Sequence, residues 1–173
     1  SLYKKIKKIK KIKFFLINFL TIFYLIIFIF SAYDLAKIEN KILFILLICI
    51  FSDIGGYAIG KIVGGKKLTK ISPNKTVSGS IGSFLLSIVL VPIFNSLLDS
   101  KFSNLHDLIM IAILVSFFCQ LGDLFFSFLK RKAKVKDTGY ILPGHGGILD
   151  RIDGMLFAIP IGMFLWEFLI IVL

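Results

Sequence analysis

"FFLINFLTIFYLIIFIFSAY", residues 14–33, contains no charged side chain and only a scatter of neutral polar ones. A stretch of about 20 such residues is what a helix needs to cross roughly 30 Å of hydrocarbon. Four further stretches, near 41–60, 79–98, 107–129 and 152–173, have the same character in whole or in part. Inside lipid every backbone N–H and C=O must be paired within the protein, so only helices or closed barrels cross it. The alternation of polar and apolar residues that barrel strands need is absent, and the expectation is an all-α, polytopic membrane helical bundle of about five transmembrane helices. Composition agrees: 57% of the 173 residues are hydrophobic, 19 are Phe, and the mean hydropathy is +0.92, beyond what a soluble domain carries. The segment at 14–33 is long for a signal sequence and lacks an A-x-A-like cleavage site, so it reads as a span.

Charge orders the spans. The net charge is +11, and 18 of the 21 Lys and Arg residues fall in the tail "YKKIKKIKKIKF" and in residues 61–75 and 130–151. With five spans these three segments share one side, which the positive-inside rule assigns to the cytoplasm. The expected layout is a basic cytoplasmic N-terminal tail over 1–13 and a transmembrane domain over 14–173 with cytoplasmic loops near 61–78 and 130–151. The tail abuts a span, so it reads as a topological anchor attracting anionic lipid rather than a nucleic-acid arm. The lipid bilayer is therefore an expected partner and nucleic acid is not. Cys49 and Cys119 lie in different spans without a CxxC pattern and read as small packing residues.

The first cytoplasmic loop follows "FSDIGGYAIGKIVGGKK", where Asp53 precedes Lys61 by eight residues and so lies below the membrane surface. An ionisable group there is expensive and is a functional candidate by default. Gly55, Gly56 and Gly60 allow close backbone approach, for packing or for a ligand alike. "KISPNKT" then offers hydroxyls and ammoniums in a turn, suited to phosphate oxygens. In the fourth span Gln120, Asp123, Ser127 and Lys130 are spaced by 3, 4 and 3 and form one polar stripe on a helix. Asp123 precedes Lys130 by seven residues, so it reaches about the depth of Asp53. The second loop ends in "LPGHGGILDRIDG", whose glycines can expose N–H groups to an anion. Its Asp150 and Asp153 share a face at the start of the last span, where the helix dipole favours carboxylates.

Asp53, Asp123, Asp150 and Asp153, with no His or Cys cluster, favour Mg²⁺ over zinc. Basic residues around them favour a phosphate-bearing substrate, since metal and Lys or Arg together neutralise charge that moves in phosphoryl transfer. His145 is read as fixing its loop or touching phosphate rather than as an acid or base. His106 and Trp166 read as interface residues, and Glu167 has no account from sequence.

The string Ser127, Lys130-Arg131, Lys136-Asp137, Pro143-Gly144-His145-Gly146-Gly147, Asp150-Arg151 and Asp153 resembles the signature of the CDP-diacylglycerol synthases, or phosphatidate cytidylyltransferases. Asp53, Tyr57, Gly60, Lys70, Ser72-Pro73, Lys75-Thr76 and Gly79 also fall where that family has them. The resemblance implies a dimeric enzyme of the bacterial inner (plasma) membrane, its site facing the cytoplasm, that condenses CTP with phosphatidic acid to give CDP-diacylglycerol and pyrophosphate. Carried across, Asp123 and Asp150, with Asp153 close by, become the Mg²⁺ site, with a second cation left open, and Lys130 joins Asp123 and Asp150 as catalytic. Arg131, Lys136 and Arg151 meet phosphates; Asp53, Ser72, Lys75, Thr76, Ser127, Asp137, His145, Gly146 and Gly147 position substrate. Two departures are Val77 and Ser78, where the family has Trp-Glu, and a length that suggests a short or N-terminally truncated member. The rival readings are a CTP-dependent polyprenol or dolichol kinase, which shares a Gly-His-Gly-Gly-type loop, and a non-catalytic membrane protein.

Overall fold

The computed structural model describes residues 2–37, 40–69, 71–97, 105–139 and 147–171. They form five α-helices: α1 (Leu2–Ala36), α2 (Lys41–Val63), α3 (Val77–Leu97), α4 (Leu105–Lys132) and α5 (Leu149–Ile171). Among the described residues four segments are long and apolar enough to cross a membrane: Lys13–Ala36, Lys41–Val63, Val77–Ser96 and Leu105–Lys132. The fifth helix is also 23 residues long, about 35 Å at the usual rise, but carries Asp150, Arg151 and Asp153 in its first turns. The chain is an integral membrane protein built as a helical bundle. The residues of the basic tail from Leu2 onward are helical, as the first turns of α1.

Local chemistry ends α2 and α4 where the sequence turns polar. Gly64 (φ 65°) and Gly65 (φ 102°) take left-handed backbone that other residues resist, and Gly64 N–H closes on Gly60 O at 3.1 Å. Thr76 caps α3 by accepting from Gly79 N–H at 3.0 Å. Between them Leu68 N–H bonds Lys75 O at 2.8 Å and Val77 N–H bonds Lys66 O at 3.0 Å, folding residues 64–76 into a small hairpin. Ser78, where the family pattern has a carboxylate, donates to Gly64 O and meets Thr76 Oγ1 at 3.0 Å, tying the hairpin to both helices. Lys130, Arg131 and Lys132 fill the last turn of α4, where cations complement the helix dipole.

Two close helix crossings position everything else. On α2 and α3, Gly55, Gly56 and Gly60 face Gly79 and Gly82: a Cβ on Gly82 would lie 2.6 Å from Gly55 O, and one on Gly79 2.6 Å from Gly56 O. These glycines therefore serve helix packing, the first of the two readings open from sequence. On α4 and α5, a Cβ on Gly122 would lie 2.9 Å from Asp153 O, and one on Gly154 2.7 Å from Cys119 Sγ. Small residues at such crossings let backbones approach where lipid supplies no hydrophobic drive between helices. Gly82→Val sets a branched side chain against backbone that cannot yield, and is expected to cost about 1–3 kcal/mol. A lowered melting temperature in detergent checks it.

The apolar core lies mainly among α2, α3, α4 and α5, with Phe44, Ile48, Val91, Ile111, Val115 and Ala158 fully buried. A polar seam runs through it: Ser52 and Ser116 hydroxyls meet at 2.9 Å, Ser83 donates to Ser52 O at 2.7 Å, and Ser87 to Ser83 O at 2.8 Å. Cys49 and Cys119 are both buried with free thiols, and the fold brings them side by side. Helix α1 leans on α5 through Tyr24, whose hydroxyl donates to Leu156 O at 2.7 Å; its C-terminal end buries Ser31 and Leu35, while residues 13–22 are exposed, as for a helix against lipid. Trp166 departs from expectation. It is 2% exposed and packed edge-on to Phe44 at 6.0 Å, with Lys41 Nζ 5.1 Å above its ring, so it is a core residue rather than an interface anchor. Glu167 stands within electrostatic reach of the same Lys41.

Candidate active site

Four elements converge at one end of the bundle: the C-terminal parts of α2 and α4, the start of α5 and the 64–76 hairpin. Because α4 and α5 cross at Gly122 and Gly154, the neighbouring Asp123 and Asp153 are drawn to one level. Lys130, at the end of α4, reaches across to both acids of α5, with Nζ 2.9 Å from Asp150 Oδ1 and 3.4 Å from Asp153 Oδ2. Lys75 of the hairpin forms an ion pair with Asp123. Ser127 Oγ lies 3.5 Å from Asp123 Oδ1 on the next turn of α4. Asp53 completes the group from α2, close enough to Asp123, Lys75 and Asp153 for their charges to act on it.

Asp150 is the most heavily bonded of these acids. Its Oδ2 accepts from Thr138 N–H at 2.8 Å, Thr138 Oγ at 3.0 Å and Gly147 N–H at 2.9 Å, while Oδ1 takes Lys130. These bonds use about all the lone pairs a carboxylate has, and they fasten the second loop to the head of α5. Desolvation pushes the Asp150 carboxyl up, but Lys130 and the two N–H donors outweigh it and hold it well below the usual carboxylate range. A group with a depressed folded pKa contributes stability above its unfolded value, here 3.8, that is lost as pH falls. A melting series from about pH 6 to about pH 3 is expected to fall on the acid side, and Asp150→Asn to flatten part of that fall.

The sequence's candidates divide. Asp53, Lys75, Asp123, Ser127, Lys130, Asp150 and Asp153 are brought together, with Gly147 on the Asp150 carboxylate. Ser72 and Thr76 line a cavity of about 300 Å³ shared with Asp53, Lys75, Gln120 and Asp123. Arg131 lies outside that cluster, its guanidinium 3.4 Å from Val135 O, and borders a broad groove of about 740 Å³ with Lys132, Ile71, Pro73 and Phe128. Lys136 and Asp137 are exposed on the loop and Arg151 on the first turn of α5. Lys70, Pro143, Gly144, His145 and Gly146 lie outside the described residues. Sequence reasoning missed Thr138 and the Gly122–Gly154 crossing. The latter had a signal, a glycine adjacent to an acid on each of two spans.

Among the described residues no three His, Cys, Asp or Glu side chains form a ready metal shell. The donors nevertheless suit a hard cation: they are carboxylate oxygens, four acids against Lys75 and Lys130 leave a formal charge of minus two, and ammonium groups already stand on Asp123, Asp150 and Asp153. A divalent ion would take the place of those ammoniums.

A bundle of membrane helices with acids and lysines gathered at one end defines a polytopic membrane protein with a charged site on one face of the bundle. The model of the cytidylyltransferase family matches residues 2–169, and the chain belongs to that family. It is 47% identical over 121 residues to the phosphatidate cytidylyltransferase of Staphylococcus epidermidis, covering 69% of this chain and 46% of that protein. It is 48% identical over 115 residues to that of Bacillus subtilis (66% and 42%), and 45% over 123 residues to that of Staphylococcus aureus (70% and 47%). The chain spans about half the length of these relatives.

Proposed function

We propose that the chain carries a cytidylyl-transfer site, moving the cytidylyl group of CTP to phosphatidic acid and giving CDP-diacylglycerol and pyrophosphate. One observation carries this reading: carboxylates and lysines from separate helices meet at one end of the bundle, in a chain related to phosphatidate cytidylyltransferases. A phosphate oxygen of phosphatidic acid attacks the α-phosphorus of CTP and pyrophosphate leaves, with no protein nucleophile. Asp123, Asp150 and Asp153 would hold Mg²⁺, which when bound supplies charge neutralisation and orientation for the transferring group. Lys130 and Lys75, released from the acids, turn their ammoniums to phosphate oxygens, and Ser72, Thr76 and Ser127 position the chain of phosphates.

The groove beside Arg131 and Lys132 has the apolar walls and cations that a lipid phosphate needs, and phosphatidic acid approaches there from the bilayer. The family resemblance gives Lys136 and Arg151 phosphate contacts and makes Asp137, His145 and Gly146 substrate-positioning residues. The positive-inside pattern supports a site facing the cytoplasm, in a bacterial inner membrane. A homodimer rests on the family resemblance.

Labelled CTP tests the reaction. With reconstituted protein, Mg²⁺ and phosphatidic acid, label on the α-phosphorus is expected to enter the lipid and label on the γ-phosphorus to leave as pyrophosphate. Transfer of the γ-label alone would make the protein a lipid kinase, and transfer of neither would make it non-catalytic.

A further inference from the structure

Gln120 is a polar residue lining the cavity that the chemistry above does not use. It sits one turn, about 4.5 Å, deeper than Asp123 on the same face of α4. Ser80 Oγ meets its Oε1 at 2.6 Å, while its Nε2 is buried with no hydrogen-bond partner among the described residues. Turning the amide over exchanges the two atoms but still leaves one unmatched. A buried polar atom without a partner costs free energy and calls for an explanation such as a ligand. The cavity that Gln120 lines is shared with Ser72, Lys75 and Thr76 and with Asp53 and Ser80.

Those lining groups suit two kinds of recognition. The ammonium and hydroxyl groups of Lys75, Ser72 and Thr76 match phosphates, whereas the neutral amide of Gln120 and the carboxylate of Asp53 match a base edge. We infer that Gln120, held by Ser80, reads the nucleotide base: its amide donates to a ring acceptor while Asp53 accepts from the adjacent exocyclic amine. Cytosine offers that pair, the ring N3 beside the N4 amine. Uracil presents a carbonyl where the amine would be, setting acceptor against acceptor at Asp53. The inference rests on the CTP reading and names the residue that selects the base.

Binding of CTP, UTP and tripolyphosphate to the reconstituted full chain with Mg²⁺ tests it. The unaltered protein is expected to prefer CTP over UTP. Gln120→Leu is expected to weaken CTP about tenfold, bring it towards UTP, and leave tripolyphosphate unchanged; Ser80→Ala, a smaller change, shifts the ratio the same way. Preference for CTP retained in both variants overturns the base assignment and leaves the cytidylyl-transfer reading intact. Equal binding of CTP and UTP by the unaltered protein overturns both. Loss of tripolyphosphate binding in Gln120→Leu makes Gln120 a phosphate-site or folding residue and likewise overturns the assignment, with Ser80→Ala telling those two apart.

Discussion

Asp150→Asn is expected to lower CDP-lipid formation by roughly 10² to 10³-fold, to background in an ordinary assay. The substitution keeps one oxygen, which can still accept from Thr138 and Gly147 N–H. It replaces the other with an amide donor facing the Lys130 ammonium, which sits 2.9 Å away, and it removes the charge a divalent cation would use. The loss therefore falls on turnover more than on folding. Thr138→Ala is the control, because it deletes one of three donors to Asp150 Oδ2 and leaves the carboxylate charged. Near-normal turnover in Asp150→Asn would remove this residue from the reacting centre, whatever happened to Thr138→Ala.

Lys130→Met is expected to damage both stability and turnover. The side chains of Lys130, Asp150 and Asp153 are only 14%, 9% and 12% exposed, so deleting the cation leaves two poorly solvated carboxylates facing each other. Removing one member of a buried ion pair costs a few kcal/mol, here about 3 kcal/mol. A divalent cation can take over that neutralising role, so millimolar Mg²⁺ is expected to raise the melting temperature of Lys130→Met more than that of the unaltered protein. Turnover is expected to stay low in Mg²⁺, because the variant lacks the ammonium that the proposed reaction directs to phosphate. A melting temperature insensitive to both the substitution and Mg²⁺ would mean that the three groups are not coupled.

These two variants rest on geometry that the sequence only partly discloses. Asp53 and Asp123 could be placed at one depth because helical rise is regular and Lys61 and Lys130 mark the membrane surface. The stripe Gln120, Asp123, Ser127, Lys130 follows from helical periodicity alone. Pairing is different: that Lys75 chooses Asp123 while Lys130 spans Asp150 and Asp153 depends on which helices cross and how closely. Likewise, Trp166 was misread because its position near the end of a span resembles an interface residue until Phe44 and Lys41 enclose it.

The apolar runs and the lysine distribution by themselves determined a helical membrane bundle and the end at which its acids collect, since hydrocarbon accepts few charges and fixes helix length. Only the tertiary structure decided the partners. Glycine-to-backbone contacts at Gly82 and Gly154 set the helix crossings to within a fraction of an ångström, and hydrogen bonds and ion pairs form or fail over that same distance.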